Sequence, residues 1–261
     1  MQSVNPIASQ KFLKMPENRF FSDTPLNELK SITLTDVELH HLAHVMRCKV
    51  GDSVELVNGK GVLARALVLS ISKREANLEI ISIVRQEKLN SCPIILIQAL
   101  PRPNRLDTIL EKGTEIGMDE IWLFPGEKSE RGLLNEHQLH RMQGVIISSM
   151  KQCGRLFSPK ITLKPPIKKW DSSFLPHPAY FGDLSENAPP FSSCKKGANG
   201  CCFIIGPESG FSEEEKKMLT HLKAEGVLLN PNILRTDTAA LVALSLMSSW
   251  RGPNGSFQEE K

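Results

Sequence analysis

The sequence predicts an α/β protein with a small β-rich part at the N-terminus and a larger part in which strands and helices alternate. Residues 19–85 contain short apolar or alternating runs that are separated by glycine turns. Residues 92–252 contain apolar runs followed by stretches of helical periodicity, which is typical of a parallel sheet. With 261 residues, the chain is long enough for each part to bury its own core.

The N-terminal part has the pattern of a small, partly closed β-barrel. Its strand candidates are residues 20–21, 53–57, 62–72 and 77–84, and its hairpin-type turns are Gly51-Asp52 and Asn58-Gly59. One helical segment interrupts the strands, with apolar residues at Leu39, Leu42, Val45 and Met46. Thr35 and Glu38 have the spacing of a capping box, so we expect them to begin this helix.

Two motifs in this region admit other interpretations. Residues 59–64 fit a G-x-G-x-x-A dinucleotide fingerprint, but a strand pattern follows where that motif needs a helix, so a hairpin turn is favoured. His40, His41 and His44 share one helix face and could hold a metal. They lack the H-E-x-x-H arrangement, so a surface or interdomain role is favoured and no metal site is predicted.

The C-terminal part follows a polar linker at residues 86–91. Its strand candidates are residues 94–99, 121–124, 179–181, 201–205 and 227–229, and its helix candidates are residues 105–117, 136–153, 213–224 and 238–249. The last helix is apolar on nearly every side, so it must be buried against the sheet or against a second subunit.

A glycine turn at residues 206–210, Gly-Pro-Glu-Ser-Gly, joins a strand candidate to a helix candidate. Ser212 and Glu215 have capping-box spacing at the start of that helix. In an open α/β sheet, ligands usually bind at the carboxyl ends of strands. No Gly-Lys-Ser/Thr follows, so a phosphate loop is disfavoured. The alternative is a tight turn that binds nothing.

A second turn, at residues 228–238, combines an extended polar stretch with Ile233, Leu234 and Arg235. Apolar side chains beside exposed backbone amides suit a flat heteroaromatic ring such as adenine. Arg235 would then lie at the rim of the pocket and contact an anionic or carbonyl-rich substrate. The alternative is a surface salt bridge from Arg235 to Asp237 or Glu208. A threonine or aspartate is expected to cap the last helix.

Charge and composition indicate a globular protein that contacts nucleic acid. Charged residues make up 23% and hydrophobic residues 40% of the chain, and the net charge of +3 is too small to identify a polyanionic partner. Residues 151–170, however, contain six basic residues and no acidic one, which is the footprint of a nucleic-acid binder. These are Lys151, Arg155, Lys160, Lys164, Lys168 and Lys169. A solvated linker is the alternative.

The six cysteines show no C-x-x-C spacing, which disfavours a zinc ribbon or a redox pair. The first residues lack the pattern of a signal peptide, and no apolar run is long enough for a membrane span. We therefore expect a cytoplasmic protein with reduced thiols. The polar residues 1–18 are expected to form a flexible leader, in which Met15 offers a second possible start.

Five segments resemble the bacterial ribosomal RNA small subunit methyltransferase E family of the SPOUT superfamily. They are residues 44–47, 100–117, 152–155, 206–215 and 232–239, and they occur in the family's order. The resemblance covers roughly residues 19–250. It implies a PUA-like N-terminal β-barrel and a C-terminal SPOUT-type parallel-sheet domain with a deep trefoil knot. The implied bounds are a leader at 1–18, the barrel at 19–85, the linker at 86–91, the methyltransferase domain at 92–252 and a tail at 253–261.

The resemblance also implies an activity, which is methyl transfer from S-adenosylmethionine to N3 of one uridine in 16S rRNA. The implied partners are 16S rRNA or the small ribosomal subunit and a second copy of the chain, and no metal is needed. Two alternatives remain open at this point. The protein could bind ribosomal RNA after losing methyl transfer, or it could methylate a different RNA position.

Three sets of site residues follow from the resemblance and the two turns. The expected cofactor-binding residues are Gly182, Ile205, Gly206, Pro207, Glu208, Gly210, Leu228, Leu229, Asn230, Ile233, Leu234 and Thr236. The expected catalytic residues are Arg235 and Arg155, which would stabilise the uracil anion, and Glu208 or Asp237 as the general base. The expected RNA-binding residues are Arg47, Arg102, Arg105, Arg131, Lys151 and Arg155.

Four positions depart from the family's pattern. Ser209 and Asn230 stand where the family has glycine, Asn232 replaces an arginine, and Asp237 is one methylene shorter than the family's glutamate. A side chain is costly where a turn needs positive φ, and asparagine tolerates such a turn better than serine. We expect these departures to affect cofactor affinity more than the fold.

Overall fold

The structure is a computed structural model that describes residues 16, 18–24, 26, 31–88, 93–128, 134–176, 178–194 and 200–251. The chain divides into two compact units, residues 1–88 with 147–157 and residues 89–146 with 158–261. Most of the predicted leader, part of the predicted linker, the tail and Arg131 lie outside the described residues.

The first unit contains a five-stranded mixed sheet in the order β1-β3-β4-β5-β2. Its strands are β1 (Arg19–Phe21), β2 (Ser31–Leu34), β3 (Ser53–Val57), β4 (Val62–Ile71) and β5 (Ala76–Arg85). Strands β1 and β3 are parallel, and the other neighbours are antiparallel. The core contains Phe20, Leu42, Leu56 and Leu78, which are fully buried. The predicted β-rich fold of this part is therefore confirmed.

The turn at Asn58 confirms the predicted hairpin between β3 and β4. The Asn58 side-chain oxygen accepts hydrogen bonds from the backbone amides of Lys60 at 2.8 Å and Val62 at 3.2 Å. Because the chain continues as β4 and not as a helix, the dinucleotide interpretation of residues 59–64 is excluded.

The helical segment of this unit is helix α1 (Asp36–His40), which continues as a π-helical turn at His41–Val45. The predicted capping box is wrong, because the Thr35 side chain makes no capping bond and instead donates to Asp36. Glu38 is held elsewhere. It accepts from the backbone amide of Phe21 at 3.0 Å and forms an ion pair with Lys151 at 2.6 Å.

The second unit contains a six-stranded sheet in the order β11-β9-β10-β6-β7-β8, and every neighbouring pair is parallel. Its strands are β6 (Ile94–Ala99), β7 (Glu120–Phe124), β8 (Lys160–Leu163), β9 (Ala179–Gly182), β10 (Cys201–Ile205) and β11 (Glu225–Val227). The predicted parallel sheet is confirmed. Strand β8 was not predicted, because Lys160 and the basic residues around this strand were assigned to an RNA-binding stripe or a linker.

The α-helices that accompany this sheet in the described residues are α2 (Pro103–Ile116), α3 (Glu136–Cys153), α4 (Glu213–His221) and α5 (Thr236–Ser249). Helix α2 ends at Gly117, whose φ of 115° suits glycine. The last residues of α3 belong to the first unit, where Met150 and Leu156 form a buried cluster with Val57. Nothing in the sequence pattern predicted this grouping. The trefoil knot and the domain bounds stay predictions.

The central strand β6 has apolar residues on both faces. Ile94 and Leu96 belong to one core cluster, together with residues of α2 and α5, and Ile95 and Ile97 belong to the other, together with residues of α4. Gln98 is the polar residue of this strand and is fully buried. No described helix is long and apolar enough to cross a membrane.

Candidate active site

The turn after β10 is built as the sequence predicts. Gly210 has a φ of 74°, and its amide donates to the Pro207 carbonyl at 2.8 Å. Ser212 and Glu215 form both bonds of the predicted capping box at the start of α4. This box fixes where the helix begins and therefore leaves residues 206–210 as a short turn at the carboxyl end of β10.

The family's glycine at position 209 is not needed for the backbone of this chain. Ser209 and Asn230 both lie outside the positive-φ region, so neither side chain strains the turn that holds it. The Ser209 hydroxyl donates to the Lys128 carbonyl at 3.3 Å, and the Asn230 side chain accepts from the Asn232 amide at 2.9 Å. Both departures are therefore compatible with the turn geometry.

The second turn connects β11 to α5. Ile233 is 82% exposed here, and helix α5 begins at Thr236 with Arg235 at its N-cap. The expected cap by a threonine or aspartate side chain is wrong, because the structure shows no side-chain capping bond at this helix. The Thr236 hydroxyl points inward instead, 3.0 Å from Nε2 of Gln98 and 3.4 Å from the Gly206 carbonyl.

The two turns enclose one cavity of about 650 Å³. It lies at the carboxyl ends of β9, β10 and β11, where open α/β sheets bind their ligands. The sequence-predicted residues that line it are Gly182, Ile205, Gly206, Pro207, Glu208, Gly210, Leu229, Asn230, Ile233, Leu234, Arg235 and Thr236, with Arg105 from α2. Ser209 and Asn232 lie in the two predicted turns but were not among the expected cofactor-binding residues, and Asp183, Leu184, Phe211, Lys216, Val227 and Ala239 also line the cavity.

Among the expected cofactor-binding and catalytic residues, three do not line this cavity. The backbone of Leu228 binds Pro189 and Phe191, both at 2.9 Å. Asp237 lies in the first turn of α5, and its Oδ1 is buried without a hydrogen-bond partner in the described part of the chain. Arg155 lies in the segment 147–157, which belongs to the first unit.

Charged side chains surround the cavity. Arg105 Nη1 lies 3.4 Å from Glu208 Oε1, and Lys216 Nζ lies 3.6 Å from Asp183 Oδ1. Burial alone would raise the pKa of Asp183, but hydrogen bonds from Ser185 and the Lys216 ammonium lower it below its ordinary value. Arg235 is exposed and forms no ion pair with any described residue, so the alternative of a surface salt bridge to Asp237 or Glu208 is not observed.

Some basic residues of the stripe predicted at residues 151–170 are engaged in contacts within the protein and are therefore less accessible to nucleic acid. Lys151 is largely buried in its ion pair with Glu38. Lys164 Nζ lies 3.8 Å from the centroid of the Trp122 ring, and burial lowers the pKa of this lysine. By contrast, Arg47 and Arg102 are exposed, and Arg47 has a φ of 55°.

Comparison with known proteins identifies the family. The RNA methyltransferase domain family matches residues 88–248, which is more than half of the chain, and the RNA methyltransferase PUA domain matches residues 34–81. The chain belongs to the RNA methyltransferase family. The resemblance predicted from the sequence is thereby confirmed, and so is the PUA domain expected in the N-terminal part.

Relatives of this RNA methyltransferase carry the name ribosomal RNA small subunit methyltransferase E. The Bacillus subtilis protein is 26% identical, and the match covers 85% of this chain and 91% of that protein. The Buchnera aphidicola protein is 24% identical, and the match covers 92% of this chain and 95% of that protein. A solved structure of the Neisseria gonorrhoeae protein bound to S-adenosyl methionine is 26% identical, with a TM-score of 0.79 over 90% of this chain and 98% of that one.

Proposed function

We propose that this RNA methyltransferase transfers the methyl group of S-adenosylmethionine to N3 of a uridine in 16S rRNA of the small ribosomal subunit. The cavity formed by the two turns carries the proposal, because it lies at the carboxyl edge of the parallel sheet. The names of the relatives support the RNA substrate, and the ligand of the Neisseria gonorrhoeae protein supports the cofactor.

The residues of the cavity fit this cofactor. A volume of about 650 Å³ lies within the range of ligand pockets, which runs from roughly 300 to 1,000 Å³. Apolar side chains that suit adenine line it, including Ile205, Leu229, Ile233 and Leu234. Carboxylate and cationic groups are also present and can bind the polar amino-acid and ribose groups. When bound, the cofactor supplies a methyl group that its positively charged sulfur already activates.

The task left to the protein is to remove the proton from uracil N3 and to stabilise the resulting anion. Glu208 lines the cavity and is partly exposed, whereas Asp237 does not line it, so we assign the general base to Glu208. Arg235 lines the same cavity and is free of ion pairs within the described residues, so its guanidinium is available to the developing negative charge.

The RNA must present the target uridine outside a duplex, because the reactive edge of a stacked and paired base cannot enter the cavity. We propose that the exposed Arg47 and Arg102 contact phosphates and so position the RNA. We also propose a homodimer in the cytoplasm. In support of the dimer, α5 is apolar nearly all round, and its Leu241 and Val242 remain partly exposed in the single chain.

The proposal is tested by incubating the protein with S-adenosylmethionine and either naked 16S rRNA or isolated small ribosomal subunits. Nucleosides from the digested rRNA are then separated by mass spectrometry. We expect 3-methyluridine in one of the two reactions and none without protein. Methylation of another nucleoside would redirect the specificity, and absence of cofactor binding by calorimetry at millimolar concentration would leave only an RNA-binding role.

A further inference from the structure

We propose that Gln98 is a positioning residue that fixes the two cavity-forming turns to each other through the hydroxyl of Thr236. Gln98 is fully buried near the end of β6 and is not among the residues that line the cavity. Its side chain therefore acts on the cavity through a neighbour. The inference rests on the proposed function only for its effect on cofactor affinity.

The hydrogen bonds form a chain with a defined direction. Gln98 Nε2 donates to the carbonyl of Ala99 at 2.9 Å and to Thr236 Oγ1 at 3.0 Å. The Ala99 carbonyl fixes the orientation of the amide, because only the amide nitrogen can donate to it. Since Thr236 accepts from Gln98, its own proton is free for the Gly206 carbonyl, which lies 3.4 Å away.

The three connected groups come from different parts of the sheet edge. Gln98 belongs to the central strand β6, Gly206 follows the neighbouring strand β10, and Thr236 is the first residue of α5. Gly206 and Thr236 each line the cavity, one in each turn. The chain of bonds therefore sets the distance between the two walls that face the ligand.

The cost of this arrangement also indicates a role beyond packing. Gln98 Oε1 is buried and has no hydrogen-bond partner among the described residues. An apolar residue of similar shape would avoid that unpaired acceptor, and an unpaired buried polar group destabilises the folded state. Buried polar atoms without a hydrogen-bond partner are rare in protein cores, and those that occur are most often found at functional sites.

The test compares Gln98→Met with the matched control Thr114→Val. Thr114 is also fully buried in the second unit, bonds to the Leu110 carbonyl at 2.7 Å and does not line the cavity. Calorimetry should show S-adenosylmethionine affinity about three- to tenfold weaker for Gln98→Met, the equivalent of one buried hydrogen bond. Thr114→Val should bind as the wild type does, even though it lowers the melting temperature.

Two further variants separate positioning from general destabilisation. Thr236→Val should weaken affinity at least as much as Gln98→Met, and Thr236→Ser should weaken it less than Thr236→Val because it keeps the hydroxyl. The double variant of Gln98→Met and Thr236→Val should bind no worse than the weaker single variant, since both break the same chain. If Gln98→Met does not fold, the inference is tested by comparing the cofactor affinity of Thr236→Val with that of Thr236→Ser.

Hydrogen exchange without cofactor distinguishes failure of this inference from failure of the proposed function. We expect Gln98→Met to speed exchange of backbone amides at residues 208–212, 230 and 232–236, and Thr114→Val to leave them unchanged. That result supports the positioning role even if the wild type binds no S-adenosylmethionine, which would overturn only the proposed function. The inference is overturned if Gln98→Met leaves amide exchange unchanged at both turns and, where the wild type binds the cofactor, binds it with wild-type affinity.

Discussion

The guanidinium of Arg105 lies 3.4 Å from the carboxylate of Glu208, so helix α2 is joined to the turn after β10 at the wall of the cavity. Both side chains are partly exposed, and an ion pair of this kind contributes little to folding stability. We propose that its position beside the cavity gives it a functional role instead, in which Arg105 holds the carboxylate of Glu208 in place for proton removal and leaves it accessible to a ligand.

Glu208→Gln should lower the single-turnover rate of methyl transfer by about 100-fold or more, the usual contribution of a general base. Its melting temperature should stay near that of the wild type, because the lost ion pair is partly exposed. Asp237→Asn is the matched control, since its carboxylate does not line the cavity. Loss of rate in Asp237→Asn with a normal rate in Glu208→Gln would reverse the assignment.

Arg235→Ala should lower turnover by roughly 100-fold, as does removal of one group that stabilises transition-state charge. Affinity for S-adenosylmethionine should change much less, because the charge that Arg235 stabilises appears only as the uracil proton leaves. Quenched time courses of methyl transfer give the turnover rate, and calorimetry gives the affinity for S-adenosylmethionine. Arg235→Lys keeps the charge and should retain part of the rate, and full activity in Arg235→Ala would remove this residue from the catalytic set.

Ser209→Gly restores the family's glycine, and we expect it to leave cofactor affinity within about twofold of the wild type. Glycine is advantageous where φ is positive, but Ser209 lies outside that region. The hydroxyl's bond to Lys128 is exposed and long, so its loss matters little. A large gain in affinity measured by calorimetry would show that the serine obstructs the ligand.

Local signals in the sequence were sufficient for much of the fold and for the position of the site. The Ser212 capping box and the strand before residue 206 depend on neighbours within a few residues, and both are present. The box predicted at Thr35 failed because Glu38 is bound by Phe21 and Lys151, the latter 113 residues away. Contacts between residues so far apart in the sequence produce no periodic pattern that could predict them.

The same limit explains what was missed around the cavity. A polar residue in the apolar run of β6 is visible in the sequence, but its partner Thr236 is 138 residues away. Lys216 lines the cavity from helix α4, and Leu184 lines it from the segment after β9. No sequence motif predicts either position. The basic residues in and around β8 suggested an RNA-binding stripe or a solvated linker, whereas the structure pairs this strand with β7 at the sheet edge.

His41 should make the first unit less stable as the pH falls below 6.5. Burial is the main cause that lowers the pKa of His41 from 6.5, and the Lys151 ammonium and His40 act in the same direction, while Glu38 opposes them. Just below pH 6.5 the unfolded chain therefore binds more protons than the folded unit. Under this condition the free energy of unfolding decreases as pH decreases, until the lowered pKa is reached.

His41→Gln should remove this part of the pH dependence, because glutamine does not titrate. The measurement is urea unfolding of the full chain at a series of pH values from about 5 to 8, the range in which histidine changes charge. His44→Gln is the control, because His44 lies on the same helical segment and is exposed. An unchanged slope below pH 6.5 in His41→Gln would show that carboxylates, and not this partly buried imidazole, set the acid sensitivity.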